Sequence, residues 1–157
     1  GHLQSNKASR AAELFSSIDS VDSLRLAERL NDAALRLGRR LPVLLEIKLS
    51  AEEEKTGLLP CSHELSALLE RLPDLSALDP QGMMTIPPYN DDPEQARPYF
   101  ARLRDLHEQL AASHPRVALP GLSMGMSHDF AVAIEEGSTQ VRIGTALFGD
   151  RVADTRP

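Results

Sequence analysis

The chain has 157 residues, 41% of them hydrophobic, and a net charge of −6. That is enough chain for one domain with a real core, and too apolar for disorder. It carries no long basic block to neutralise a nucleic-acid backbone, no apolar run long enough to span a bilayer and no signal peptide, so we expect a soluble cytoplasmic protein. Cys61 is the single cysteine, which rules out an internal disulfide and suits a reducing compartment.

Residues 7–15 have helical spacing. "SIDSVDS" (17–23) reads as a short strand with Ile18 and Val21 as its apolar members. Ser20 or Asp22 is placed to cap the helix that follows. Leucine and alanine then recur at three- and four-residue steps over 23–38, with Gly38 placed to end the run. "LPVLLEIKL" (41–49) has a continuous apolar centre, as in a strand buried on both faces. "SAEEEKTG" reads as a solvated loop, and 62–72 as an amphipathic helix. "GMMTIPP" (82–88) is a buried strand stopped by two prolines. Residues 90–113 carry a long helix, with Asp92 as cap, Pro93 at its first position and Pro98 disturbing its early turns. A strand and turn, "GLSMGMS" (121–127), leads into a short helix ended by Gly137. "TQVRIG" (139–144) and a helical tail, "TALFG" (145–149), complete the series.

Strand and helix alternate throughout, the pattern of a parallel sheet with helical crossovers. Periodicity alone leaves an open doubly wound sheet and part of a barrel as alternatives. Polar and glycine residues gather at the carboxyl ends of the strands, and the last two strand-to-helix turns resemble a phosphate site. Both features favour a barrel.

Those two turns carry the functional expectation. Ser127 stands where a helix begins, so its hydroxyl and the amides of His128, Asp129 and Phe130 face an anion. Gly125 lets the backbone come close. Gly144 and Thr145 offer two amides and a hydroxyl at the next turn. Neighbouring parallel strands lie about 5 Å apart, so both turns can touch one phosphate. Each turn alone also reads as an ordinary helix cap, and Asp129 would repel a phosphate if it faced one. Arg142 shares a strand face with Gly144 and needs an acceptor: a ligand ring nitrogen, a carboxylate such as Glu46, or solvent. The five histidines show no metal-ligand spacing with carboxylates or Cys61, so no metal site is expected. The four methionines, Met126 among them, read as core filler.

The motifs "GHLQSNK", "SVDSLRLA", "EEEKTG", "GMMTIPP" and "LSMGMSHDFAVAIEEGSTQVRIGTALFG" together resemble, in order and over nearly the whole chain, the pyridoxal-phosphate homeostasis proteins. The resemblance implies an α/β fold like the amino-terminal domain of alanine racemase: a (β/α)8 TIM-type barrel with pyridoxal phosphate at its mouth. It implies that Ser127, Gly144 and Thr145 hold the cofactor phosphate, that Arg142 lies near the pyridine ring, and that Met126 lines the pocket. Asn6 matches a polar residue in the loop after the third strand. The family's imine-forming lysine lies on a first strand that has no counterpart here, so no catalytic residue is assigned; Lys7, Lys48 and Lys55 match other positions. Lys48, where the family often has asparagine, is expected to point to solvent.

On this reading residues 1–157 are a single partial domain, strands four to eight of an incomplete barrel whose first three strands are missing. The chain alone is then expected to be weakly stable. The implied role is holding and delivering pyridoxal phosphate inside the cell without catalysis. Transient contact with apo enzymes and a monomer at full length go with it. A racemase-like enzyme with Tyr89 as its acid or base, and a non-catalytic interaction domain, remain the alternatives.

Overall fold

The computed structural model describes residues 1–52 and 55–149. Glu53 and Glu54 of the polar loop and residues 150–157 lie outside the described residues. Five parallel strands form one sheet in chain order: β1 (Ile18–Val21), β2 (Leu41–Glu46), β3 (Leu78–Met84), β4 (Gly121–Met126) and β5 (Gln140–Arg142). The helices are α1 (Ala8–Leu14), α2 (Leu24–Arg36), α3 (His63–Arg71), α4 (Arg97–Ser113), α5 (Phe130–Glu135) and α6 (Thr145–Phe148). Among the described residues none is long and apolar enough to cross a membrane.

Alternation along the strands separates two faces. Val43 and Leu45 of the second strand and Ile47 just beyond it, with Leu122 and Met124 of the fourth, join the apolar core beneath the helices. Leu26, Leu30, Leu65, Leu68, Phe100 and Leu103 meet them from α2, α3 and α4. The other face carries Leu44 and Glu46 of β2, Met84 of β3 and Arg142 of β5, and it is hollow. A cavity of about 400 Å³ lies there, lined by Phe15, Asp19, Met84, Ile86 and Arg142 among others. An uninterrupted order 1-2-3-4-5 with helices after each strand is the arrangement of consecutive barrel strands, not of a doubly wound sheet, whose order reverses.

Several local expectations need correction. The cap of α2 is Ser23, whose Oγ accepts the Leu26 amide at 3.3 Å; Ser20 instead donates to the Gly1 carbonyl. β3 begins at Leu78, before the apolar run, because pairing with Pro42 and Val43 draws Asp79 and Pro80 into the sheet. The register slips between Val43 and Leu44, where Pro80 has no amide to give. The long helix is split: a 3₁₀ turn, Pro93–Ala96, precedes α4, and Pro98 sits in the first turn of the α-helical part. Asp92 caps the 3₁₀ turn by accepting the Glu94 amide at 3.0 Å.

The polar loop is anchored at its far end. Leu58 is buried and bridges to Ile47: its amide donates to the Glu46 carbonyl at 2.8 Å and its carbonyl accepts the Lys48 amide at 2.9 Å. Lys55 Nζ donates to the Pro87 carbonyl at 3.0 Å, which ties this loop to the strap after β3.

A candidate anion site at the ends of β4 and β5

The two glycine- and serine-rich turns meet. Ser127 Oγ accepts the amide of Gly144 at 3.1 Å and that of Ala146 at 3.2 Å. The serine therefore satisfies orphan amides at the start of α6, the helix after the next strand, and not those of its own helix. Thr145 is the first residue of α6. The amides on either side of it, of Gly144 and Ala146, both end on the Ser127 oxygen.

The turn after β4 is braced differently from the expectation. Asp129 is 8% exposed, and its Oδ1 accepts the Met126 amide at 2.6 Å, while its own amide donates to the Met126 carbonyl at 3.1 Å. The carboxylate thus closes the turn, and the Asp129 amide is already committed. Gly125, at φ +92°, serves packing: a Cβ there would lie 2.5 Å from Ala133 Cβ and 3.0 Å from Phe130 Cα. It lets α5 sit down on β4.

Arg142 is held from three sides. Nη1 donates to the Ser123 carbonyl at 2.9 Å and to Ser123 Oγ at 2.8 Å, and Nη2 donates to the Thr85 carbonyl at 2.9 Å. None of the carboxylates among the described residues forms an ion pair with it. Burial pushes its pKa below the usual arginine value, opposed by the fields of Asp19, Asp129 and Glu46. A guanidinium so desolvated, with only neutral partners, presents unspent positive charge to the hollow face.

Met126, register partner of Arg142, lies on the far side of the turn and lines a small cavity with Pro87, Tyr89 and His128. Tyr89 is 76% exposed and leans on the His128 ring at 5.5 Å between centroids. Asn6 is exposed on the 3₁₀ turn Ser5–Lys7 and lines none of the cavities described; of the other five residues, Ser127 meets Gly144 at the start of α6, while Arg142 and Met126 line separate cavities. Lys48 is half-buried and lines a cavity beside Glu46 and Ile86. No group of three or more His, Cys, Asp or Glu side chains among the described residues is placed to share a metal ion.

Ser123, Thr85 and Ala146 escaped the sequence reading. Ser123 had a signal: a serine inside a buried strand needs a partner, and it shares a face with Gly121 and Gly125. The Thr85 carbonyl and Ala146 amide are backbone groups, and no side-chain pattern marks them.

Residues 1–152 match the family described as alanine racemase, N-terminal domain. A pyridoxal phosphate homeostasis protein of Aquifex aeolicus is 46% identical over 96% of this chain and 65% of its own length. One from Synechocystis is 40% identical over 97% of this chain and 68% of its own. The solved structure of PipY of Synechococcus elongatus with PLP bound superposes with a TM-score of 0.87 at 41% identity, covering 95% of this chain and 68% of that one. The chain belongs to the pyridoxal phosphate homeostasis proteins, within the alanine racemase N-terminal domain family. Alanine racemase of Clostridium difficile, at 20% identity and a TM-score of 0.75, shares the fold. The parallel sheet and these neighbours make the fold an α/β one of the TIM-barrel type. The chain spans 65%, 64% and 63% of the length of the curated relatives from Aquifex aeolicus, Pasteurella multocida and Vibrio alginolyticus.

Proposed function

We propose that this chain supplies the phosphate-binding part of a pyridoxal 5'-phosphate site, in a protein that holds and delivers the cofactor in its homeostasis. The observation that carries this reading is the convergence of Ser127 Oγ with the Gly144 and Ala146 amides, at 3.1 and 3.2 Å. Desolvated Arg142 stands two residues before that point. These residues fit the group: amide and hydroxyl donors suit phosphate oxygens. Asp129, the nearest acid in the turn, is turned onto the Met126 amide. Ser127, Gly144 and Thr145 would take the phosphate, Arg142 would face the pyridine ring, and Met126 would close one side. Asn6 belongs to this set only by its match to the family motif. Bound pyridoxal phosphate brings an aldehyde that reacts with amines. The names of the relatives and the cofactor bound to PipY support the same group.

The five strands read as the fourth to eighth of a barrel, within a single domain over residues 1–157. The role is proposed as non-catalytic. The chain's lysines are Lys7, Lys48 and Lys55; Lys7 is exposed, and the other two line the cavity beside Glu46, whose walls do not include Ser127 or Arg142. A racemase reading would need an acid or base on the ring, and Tyr89 stands in solvent against His128. Cytoplasmic residence, passing contact with apo enzymes and a monomer at full length complete the proposal. It is tested by comparing pyridoxal phosphate with pyridoxal in a fluorescence titration of this chain. Phosphate-dependent binding that Arg142→Leu weakens about tenfold or more is expected. Equal affinity for both compounds would overturn it.

A further inference from the structure

The amino ends of the strands carry a cavity of their own, of about 260 Å³. It opens where Arg40 leads into β2, where Leu75 and Ser76 lead into β3, and where Arg116 and Val117 approach β4. The seven residues of β3 separate it from the carboxyl ends of the strands by about 20 Å. It shares no residue with the cavities lined by Arg142, Glu46 or Met126. Its apolar walls are Leu72, Leu75, Leu78 and Val117, all buried. Its polar walls are rich in unused donors. Arg40 Nη2 reaches the Leu78 carbonyl and Asp79 Oδ1, both at 3.4 Å, which is long for a charged donor. Its Nε and Nη1 protons remain free. Arg116 is exposed and pairs with none of the described residues. The amides of Ser76 and Ala118, both on the walls, donate to no acceptor among the described residues. The one acid on the walls, Asp79, is engaged with Arg40 and accepts the Gln81 side-chain amide at 2.7 Å.

We propose that this cavity binds a small aliphatic carboxylate, its oxygens on the guanidinium groups of Arg40 and Arg116 and its hydrocarbon against Leu72, Leu75 and Val117. The site stands apart from the cofactor reading. Three features select this class. Two guanidinium groups and two unpaired amides against one engaged acid make the walls a place for an anion. The planar arginine fork matches the two oxygens of a carboxylate. The apolar walls gain from burying hydrocarbon, which inorganic phosphate does not carry, and the charge of Asp79 opposes a dianion more than a monoanion. The volume sets the size: it falls below the roughly 300 Å³ at which drug-sized sites begin, so the ligand is small. Binding forms and breaks no covalent bond.

The test is an amide-shift titration of this chain with sodium isovalerate, repeated with isoamylammonium chloride and with inorganic phosphate. Isovalerate is expected to give saturable shifts at Ser76, Leu78, Val117 and Ala118, with affinity falling as salt is raised. Arg40→Gln and Arg116→Gln together should weaken it about tenfold or more. Both side chains stand at the surface, so the amide spectrum away from the cavity should stay unchanged and report an intact fold. Isoamylammonium carries a similar hydrocarbon with the opposite charge, and phosphate carries charge without hydrocarbon; neither should move these four amides. Added pyridoxal phosphate should leave the isovalerate titration as it was. The proposal is overturned if isovalerate moves none of the four amides in the folded chain, or if the double variant binds it as well as the parent does. It is also overturned if isoamylammonium or phosphate binds there as tightly, or if pyridoxal phosphate competes. Failure of pyridoxal phosphate to bind at all would count against the cofactor reading and leave this one standing.

Discussion

Replacing Ser127 with alanine separates a structural turn from a ligand-binding one. The hydroxyl accepts two amides, at 3.1 and 3.2 Å, both on the exposed side of the molecule. Water can reach those amides when the oxygen is gone, so the loss is that of one helix cap, about 1 kcal/mol. A phosphate in the same place takes both amides and receives the serine proton. A hydrogen bond to a charged group is worth about 1.5–3 kcal/mol, which is roughly ten- to hundredfold in affinity. Urea unfolding followed by circular dichroism reads the first quantity, and a pyridoxal phosphate titration reads the second. The two numbers should differ, with binding hit harder than stability. A loss of about 1 kcal/mol in stability with no change in cofactor affinity would refute the reasoning and leave the turn a cap.

Three further outcomes follow from the packing. Gly82 is at φ +141°, and a Cβ there would fall 1.9 Å from the Gly121 carbonyl oxygen, so Gly82→Ala should part β3 from β4. We expect about 3 kcal/mol or more lost in urea unfolding; a loss under about 1 kcal/mol would contradict the close pairing. Buried Asn31 accepts the Ala77 amide through Oδ1 at 3.0 Å, tying α2 to the approach to β3. Asn31→Ala strands that amide and should cost about 1–3 kcal/mol in the same assay. The raised pKa of Glu46 predicts a pH slope. Its folded-state proton is held while the unfolded chain ionises near 4.5, so its contribution is full below that pH and is lost as pH rises from 4.5 through the higher folded value. Glu46→Gln should remove that fall in thermal midpoint; parallel curves for both proteins would contradict it.

The alternation of strands and helices was legible because each element keeps one period. β2 carries a continuous apolar centre, and α2 repeats leucine and alanine on one face. What escaped reading lies between elements. Ser127 looked like a cap for its own helix, and only the adjacency of β4 and β5 shows that it serves the next one. Asp129 looked like a threat to an anion, yet local geometry folds it back onto Met126. Asp79 and Pro80 look like turn residues, and cross-strand pairing overrides that preference. The position of Glu46 against an open cavity depends on where Leu58 returns to the sheet, which no periodicity encodes. Arg142 was legible as needing an acceptor, but its partners are two carbonyls and a serine hydroxyl rather than the carboxylate that charge alone suggests.

The measurement that bears most directly on the central claim is an amide-resolved titration of this chain with pyridoxal phosphate. The account predicts saturable shifts at Ser127, Gly144, Thr145 and Ala146, reproduced by inorganic phosphate at higher concentration and lost in Ser127→Ala. Shifts confined to the lysine-bearing loops, with those four amides unmoved, would contradict it.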